Sequence, residues 1–424
     1  MAKSSTQQPP LPREIRVLVA VAFCVALGFG IVAPALPVFA RDFGVGKASA
    51  AAVISVFAVM RIAFAFPAGK LVDRYGERIV MATGIGIVAA SSVLAGASQS
   101  YAELIALRGI GGIGSAMFSI SALGLLVRIT APAQRGRAMG YWQGGFLLGG
   151  ITGPALGGVI DHISIRLPFF IYAGTLTAAG AVGLIQLRAT PLADRAKIAA
   201  AGQTKLSDAL RNRAYRAALA ANFADSWGAI GVRSALIPLF VGDVLHRGTG
   251  WIGIGFLIVS AVNGAMLIPA GRFADTVGRK PLLVGGCIGS GIGIAVLAAA
   301  QDLPGYLIGL ALLGFGSGLL DVAPGAIVGD LVEGRAGPVF AAYTMSSDVG
   351  TVVGPVVAGA IADISYGAAF LSTSAILGLA AVIAAFAPET RGLSAQGPLE
   401  IGKQIGHGLD PDAQPNEVGG DLQR

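Results

Sequence analysis

Pro67-Ala68-Gly69-Lys70-Leu71-Val72-Asp73-Arg74-Tyr75-Gly76-Glu77-Arg78 returns near 200 residues later as Pro269-Ala270-Gly271-Arg272-Phe273-Ala274-Asp275-Thr276-Val277-Gly278-Arg279-Lys280. The copies share the Pro-Ala-Gly opening, an aspartate four residues after the glycine, and a second glycine three further on. Other registers agree at a similar offset: Gly153-Pro154 with Gly354-Pro355, Pro37 with Pro238, Asp42 with Asp243. Several matches at one spacing mark a duplication of half the chain. Six apolar stretches separate the members of each pair, an even number, so both copies keep one orientation. That is a parallel repeat.

Around these segments the chain is apolar almost throughout. Apolar residues make up 54% and charged residues 12% of 424, and the mean hydropathy is +0.73. A soluble chain carries roughly twice that charge fraction and would here expose large apolar patches. Stretches of about twenty apolar residues, the length that crosses a bilayer, are predicted near 15–40, 50–69, 79–98, 101–127, 138–160, 168–188, 215–241, 251–270, 282–300, 304–328, 339–361 and 367–388. They are too long for strands, and helices satisfy their own backbone groups in hydrocarbon. The first run is longer than a signal core and lacks a small-residue cleavage site, so it reads as a retained helix.

A pI near 9.6 raises the question of nucleic acid, and the placement of charge answers it. With the amino terminus inside, 23 of the 30 Lys and Arg fall in the expected inner segments. That asymmetry is the positive-inside rule; it predicts a cell-membrane protein with both termini cytoplasmic and no nucleic-acid partner. The expected organisation is an amino-terminal segment 1–14, a six-helix bundle 15–188, a basic linker 189–214, a second bundle 215–388, and a disordered tail 389–424 poor in apolar periodicity. Cys24 and Cys287 read as packing residues. His162, His246 and His407 fall outside the membrane centre, and no metal or cofactor spacing appears.

These residues resemble the major facilitator superfamily over essentially the whole membrane portion. The two segments quoted first look like its signature loop between helices 2 and 3 and its repeat between helices 8 and 9. Arg108 with Gly109, Gly111, Gly112 and Gly114 looks like the helix 4 motif. Gly149-Gly150-Ile151-Thr152-Gly153-Pro154-Ala155-Leu156-Gly157-Gly158 looks like the helix 5 motif of drug/proton antiporters, and Gly28-Phe29-Gly30 through Pro34 and Pro37 like the helix 1 pattern of their twelve-helix group. The resemblance implies two pseudo-symmetric bundles, an all-α membrane fold, and export driven by proton entry. Glu77 stands where a basic residue is usual, and Thr276 where Arg is common.

The candidate residues follow from physical need. Gly69, Asp73, Arg74, Gly76, Arg78, Gly271, Asp275, Gly278 and Arg279 form the candidate gates: glycines permit tight turns, and the aspartates can face a helix amino terminus. Gly149, Gly153, Pro154, Gly157 and Gly158 form a candidate hinge in helix 5, expected to face helix 8. Ionisable groups inside spans are costly and functional by default, which selects Arg61, Arg108, Asp225, Asp321 and Asp348 for proton coupling. Asp225 is the first choice as carrier because it lies near mid-span. Asp321 and Asp348 are expected nearer the inner side, where a structural pair or cap reads equally well. Phe29, Tyr141, Trp142, Gln143, Trp227, Arg233 and Asn263 are cavity candidates.

The expected function is a monomeric, proton-coupled exporter of small, moderately hydrophobic, drug-like compounds, working by alternating access. A sugar or metabolite exporter is the alternative within the class, and a non-transporting receptor or sensor the alternative outside it. No nucleophile, metal or nucleotide constellation suggests an enzyme or an ATP-driven pump.

Overall fold

A computed structural model describes residues 10–161, 163–186, 202–248 and 250–391. The expected amino-terminal segment up to residue 9, linker residues 189–201, the tail from 392, His162 and His407 lie outside the described residues.

The chain is all-helical, with twelve crossings in two bundles. The first bundle holds α1 Arg13–Arg41, α2 Lys47–Tyr75, α3 Glu77–Ala97, α4 Tyr101–Ile129, α5 Arg135–Asp161 and α6 Leu167–Gln186. The second begins with α7, which runs Arg213–Asp225, passes through a π-helical stretch Ser226–Val232 and resumes as Arg233–Asp243. It continues with α8 Gly250–Thr276, α9 Arg279–Ala299, α10 Leu303–Leu331, α11 Gly337–Ala362 and α12 Tyr366–Ala385. Among the described residues ten of these are long and apolar enough to cross a membrane. The other two are α5, which is 27 residues long but carries nine glycines that lower its hydropathy, and the interrupted α7.

The same packings recur in each half: α1 on α5 and α7 on α11, α3 on α4 and α9 on α10, α2 on α4 and α8 on α10. Small residues make them possible, because lipid supplies no hydrophobic drive between helices and close van der Waals contact must do so. A β-carbon at Gly84 would lie 2.6 Å from the Gly114 carbonyl oxygen, and one at the equivalent Gly286 would lie 3.0 Å from that of Gly316.

The helix 5 motif lies elsewhere than expected. Gly149, Gly153 and Gly157 recur every four residues and press on the carbonyls of Phe23, Leu27 and Ile31. They therefore face α1 within their own bundle, not α8, because a four-residue spacing keeps them on one side of the helix. Pro154 stands exposed beside them, against Gly30; the surroundings of Gly158 lie outside the described residues. The face toward α8 is made instead by Gly136 and Gly140.

Helix α10 is α-helical to Leu320 and resumes at Ala323. Pro324 lacks the N–H that would bond the Leu320 carbonyl, and the helix breaks there. The break leaves Asp321 at the end of its first segment.

Candidate functional site

The broken turn of α10 delivers Asp321 to a cavity of about 310 Å³ lined from both bundles, including Arg61, Trp142, Gln143, Asn222 and Tyr343. Asp321 Oδ2 accepts from Asn263 Nδ2 of α8 at 2.8 Å, and its Oδ1 accepts from Gln143 Nε2 of α5 at 3.0 Å. One carboxylate is thus held by an amide from each half. Beside it, Arg61 of α2 reaches across to Asp348 of α11 at 3.0 Å, while its Nη1 donates to Ser115 Oγ at 2.5 Å and Ser119 Oγ at 3.3 Å.

The repeat explains this pattern. Arg61 corresponds to Asn263, and Ser119 to Asp321, each 202 residues apart. In both halves the α2-type helix donates to the α4-type helix, but one half uses a cation and hydroxyls, the other an amide and a carboxylate.

The two signature loops close one end of the molecule. Asp73 Oδ1 accepts from the Gly337 N–H, in the first turn of α11, at 2.8 Å. Asp275 Oδ1 accepts from the Gly136 N–H, in the first turn of α5, at 2.8 Å, and its Oδ2 from the Arg137 N–H at 3.0 Å. Helix amino termini present free N–H groups and a positive dipole end, so each carboxylate meets a ready anion site on the opposite bundle. Gly69 and Gly271 let the helices approach: a β-carbon at Gly69 would lie 2.6 Å from the Gly337 carbonyl oxygen, and one at Gly271 2.8 Å from that of Gly136. Gly76 and Gly278 take φ of 87° and 142°, values that L side chains rarely adopt.

The latches differ in one bond. Pro338 occupies the place of Arg137 and has no N–H to give. Gln203, from the segment joining the halves, donates its Nε2 to Asp73 Oδ2 at 3.1 Å instead. Its neighbour Thr204 holds that segment by bonding the Glu333 carbonyl and N–H, both at 2.9 Å. Replacing Asp73 by Asn should leave the protein inserted but weaken this closure by about 1.5–3 kcal/mol, the usual value for a hydrogen bond to a charged group, and Gln203→Ala by about 0.5–1.5 kcal/mol, because its bond to the same carboxylate is exposed and screened by solvent. Thiol accessibility of a cysteine placed at Leu123 in the cavity would report both as faster labelling from the latch end. Equal labelling of Asp73→Asn and the parent would remove the latch role.

Glu77, the unexpected acid, pairs with Arg128 at 2.6 Å. At the equivalent positions Arg279 pairs with Asp330 at 3.0 Å. The ion pair is conserved between the halves with its signs exchanged. Arg279, 1% exposed, also faces Asp275 at 3.4 Å and donates to the Pro132 carbonyl at 2.8 Å. Asp330 further accepts from Arg135 of the first bundle at 3.1 Å and Thr390 at 3.1 Å. Glu389 and Thr390, expected to open the disordered tail, are built into this cluster: Glu389 accepts the N–H groups of Arg279 at 2.8 Å and Lys280 at 3.0 Å. Burial raises the Glu389 carboxyl's pKa, but backbone donors from Arg279, Arg391, Lys280 and Thr390 outweigh it and leave the net value below the ordinary glutamate range. Its contribution is therefore lost only as the pH falls below that range. The Thr276 hydroxyl donates to the Arg272 carbonyl of its own helix at 2.8 Å, and the Thr276 carbonyl accepts from the Arg391 guanidinium.

The remaining expected residues divide. Trp142 and Gln143 line the cavity and Asn263 holds its acid. Tyr141, one residue over, points outside it and is 40% exposed. Trp227 is buried against Phe223 at 5.7 Å, and Phe29 lies 5.9 Å from Phe57. Arg108, 3% exposed, stacks 4.5 Å over the Phe57 ring, and Arg233 lies 5.6 Å from the Phe256 ring. Asp225 is buried, with Oδ1 unpartnered among the described residues. Arg74 stacks on Tyr75, and Arg78 donates to the Leu184 carbonyl at 2.9 Å. Ser119, Asn222 and Ser347 also line the cavity; their signal was a polar side chain inside an otherwise apolar run.

Two duplicated six-helix bundles, latched at one end around an ionisable site between them, are the architecture of a membrane transporter. The sequence profile of the Major Facilitator Superfamily matches residues 18–261 and 218–404, and the chain belongs to that family of transporters. It is 25% identical over 379 residues to multidrug resistance protein 1 of Bacillus subtilis, which covers 88% of this chain and 96% of that one. It is 29% identical over 302 residues to the synaptic vesicular amine transporter of Bos taurus, covering 69% of this chain and 57% of that protein. The chain thus spans about three fifths of the vesicular amine transporters it matches. In fold it is similar to the human organic anion transporter MFSD10 (TM-score 0.74, 17% identity, 89% and 100% of the two chains covered). FucP in the outward conformation is similar too (TM-score 0.72, 15% identity, 88% and 98% covered).

Proposed function

We propose that this chain is a monomeric, proton-coupled exporter of small, moderately hydrophobic compounds, working in the cell membrane by alternating access. The observation that carries the reading is Asp321, a carboxylate facing the cavity and held by one amide from each bundle. When ionised it accepts from both amides. Protonation removes one acceptor oxygen, so an amide must turn or let go, and Gln143 is the donor that belongs to the other half. Proton binding thereby biases the contact between bundles, which is what coupling requires. Asp225 faces Asp321 electrostatically but lies outside the cavity lining and stands second to it as carrier.

Arg61 is balanced by Asp348, whereas Asp321 faces only amides in its hydrogen bonds. The cavity so presents a carboxylate with no cation in hydrogen-bonding range, only Arg233 acting on it from further off, against walls such as Trp142, Phe146 and Met139. That combination suits a lipophilic base, and a sugar would meet too few polar partners. The chain's relatives among multidrug and vesicular amine transporters support this reading. Placing the basic segments and both termini in the cytoplasm makes the latched end the cytoplasmic one, closed while the cavity awaits a proton.

The test is uptake into inverted vesicles under an imposed pH gradient, screened over lipophilic amines, organic anions and sugars. Amine-dependent collapse of the gradient is the expected result. Accumulation that ignores the gradient, or follows sugars alone, would overturn the reading.

A further inference from the structure

Helix α7 carries one residue more than its repeat. Arg13, Arg16, Phe23 and Gly28 of α1 match Arg213, Arg216, Phe223 and Gly228 at an offset of 200, whereas Pro37, Phe39 and Asp42 match Pro238, Phe240 and Asp243 at 201. The structure keeps both registers. A β-carbon at Gly149 would lie 2.5 Å from the Phe23 carbonyl oxygen, and one at the equivalent Gly350 would lie 2.4 Å from that of Phe223. Further along, Phe39 meets Phe169 edge-on at 5.3 Å, as Phe240 meets Phe370 at 5.3 Å. The extra residue is absorbed between these anchors. There α1 is unbroken from Arg13 to Arg41, and α7 is π-helical from Ser226 to Val232.

Packing changes character at this stretch. Up to its first residues α7 is held closely by α11: Asn222 donates to the Tyr343 carbonyl at 2.9 Å and Ser346 Oγ at 3.0 Å, and Ser226 and Ser347 share a bond of 2.7 Å. Gly350 and Gly354 press on Phe223 and Trp227, but the next place in that stripe, Gly157 in the first half, is Ala358 in the second. The seam with α12 slackens as well. A β-carbon at Gly28 would lie 2.3 Å from Tyr172, whereas one at Gly228 would lie 3.4 Å from the equivalent Thr373. Asp225 Oδ1, Trp227 Nε1 and Arg233 Nε, in the stretch or at its edges, are buried with no hydrogen-bond partner among the described residues. A second arrangement of the turn therefore has bonds to gain.

We propose that Ser226–Val232 is a hinge, on which the half of α7 beyond it swings to close the transport cavity at the end opposite the latches. A π-turn bends at little cost, because the extra residue has already disturbed the ladder of backbone bonds. Asn222, just before the turn, lines the cavity and is fixed on α11, while Arg233–Asp243 runs on away from the latches. Helix α1 lacks the extra residue and is a straight wall. The hinge rests on the alternating-access reading above.

The test compares spin-label distances in the latched chain and in Asp73→Asn with Asp275→Asn, which frees the latched end, both with Cys24 and Cys287 replaced by Ala. Gly242→Cys with Gln301→Cys puts two labels at the far end of the second bundle; Arg41→Cys with Gln99→Cys is the equivalent pair in the first, and all four positions are exposed. Rocking of rigid bundles alters neither pair. The eleven residues beyond the hinge span roughly 16 Å, so a bend of about 20° carries their tip about 5 Å. The 242–301 distance is expected to shift by that amount and the 41–99 distance to stay. Deleting Ile230 brings α7 into register with α1 and is expected to abolish the shift. A fixed 242–301 distance while the separation of Arg41 and Gly242 changes would overturn the hinge and leave alternating access standing. Equal shifts in both bundles, or a shift that survives the deletion, would overturn it too. If the 41–242 separation is also unchanged, alternating access fails and takes the hinge with it. The distances in the intact chain decide the question whether or not the shortened chain folds.

Discussion

Asp321→Asn is expected to yield a protein that inserts, folds and still exchanges substrate across a membrane, yet no longer accumulates it against an imposed pH gradient. The substitution keeps side-chain volume and removes the titrating group. It also replaces a carboxylate with two acceptor oxygens, which serve Asn263 at 2.8 Å and Gln143 at 3.0 Å, by an amide with one. Coupling between two ligands on one protein is a free energy whose usual size corresponds to about 5- to 150-fold in affinity, and gradient-driven accumulation should fall by that factor. Proteoliposomes preloaded with substrate separate the two activities, because exchange needs no proton while accumulation does. Undiminished accumulation would move the carrier elsewhere, with Asp225 next in line. Loss of exchange as well would make Asp321 a structural residue, since the cavity would then have lost its shape and not only its proton.

The sign-reversed pairs lead to an equally large effect on stability. Glu77→Arg alone would set two cations against one another where Glu77 and Arg128 now meet at 2.6 Å, with side chains 9% and 20% exposed. Breaking a buried pair in this way costs about 3–5 kcal/mol, enough to lower the melting temperature sharply and deplete the protein from the membrane. Glu77→Arg with Arg128→Asp rebuilds the arrangement that Arg279 and Asp330 already hold at 3.0 Å in the other half, and is expected to restore most of the loss. A double variant no better than the single one would mean that the surroundings of the two pairs, rather than the pairs themselves, fix their polarity.

Much of this was legible in the sequence. The twelve spans came from length and hydropathy, and the boundaries of α1, α3 and α9 fall within a few residues of the apolar runs, because a helix in lipid has few other places to end. The contacts of the two candidate gates were legible because the loops occur twice: Asp73 and Asp275 each had to meet a donor, and both meet the first turn of a helix. What composition hid was pairing. Glu77 looked like a departure from pattern because its partner Arg128 lies at the far end of another helix. Asp321 was expected near the inner edge, since counting residues along α10 gives no hint that Pro324 interrupts the helix and frees that turn. The glycines of α5 were assigned to the wrong neighbour because periodicity reveals a stripe of small residues but not which helix presses on it. Asp225 was favoured for its mid-span place in a cavity helix; we rank Asp321 ahead of it as the proposed carrier because its partners come from both bundles.

The one-bond difference between the latches has a further consequence. Across the seam Asp275 is gripped by two main-chain N–H groups, but Asp73 depends for its second contact on Gln203, a residue of the tether. A carrier whose tether no longer presents that glutamine would be expected to keep the α5–α8 clasp at full strength while the α2–α11 clasp loses its helper. Such a molecule would swing open lopsidedly, one seam parting ahead of the other.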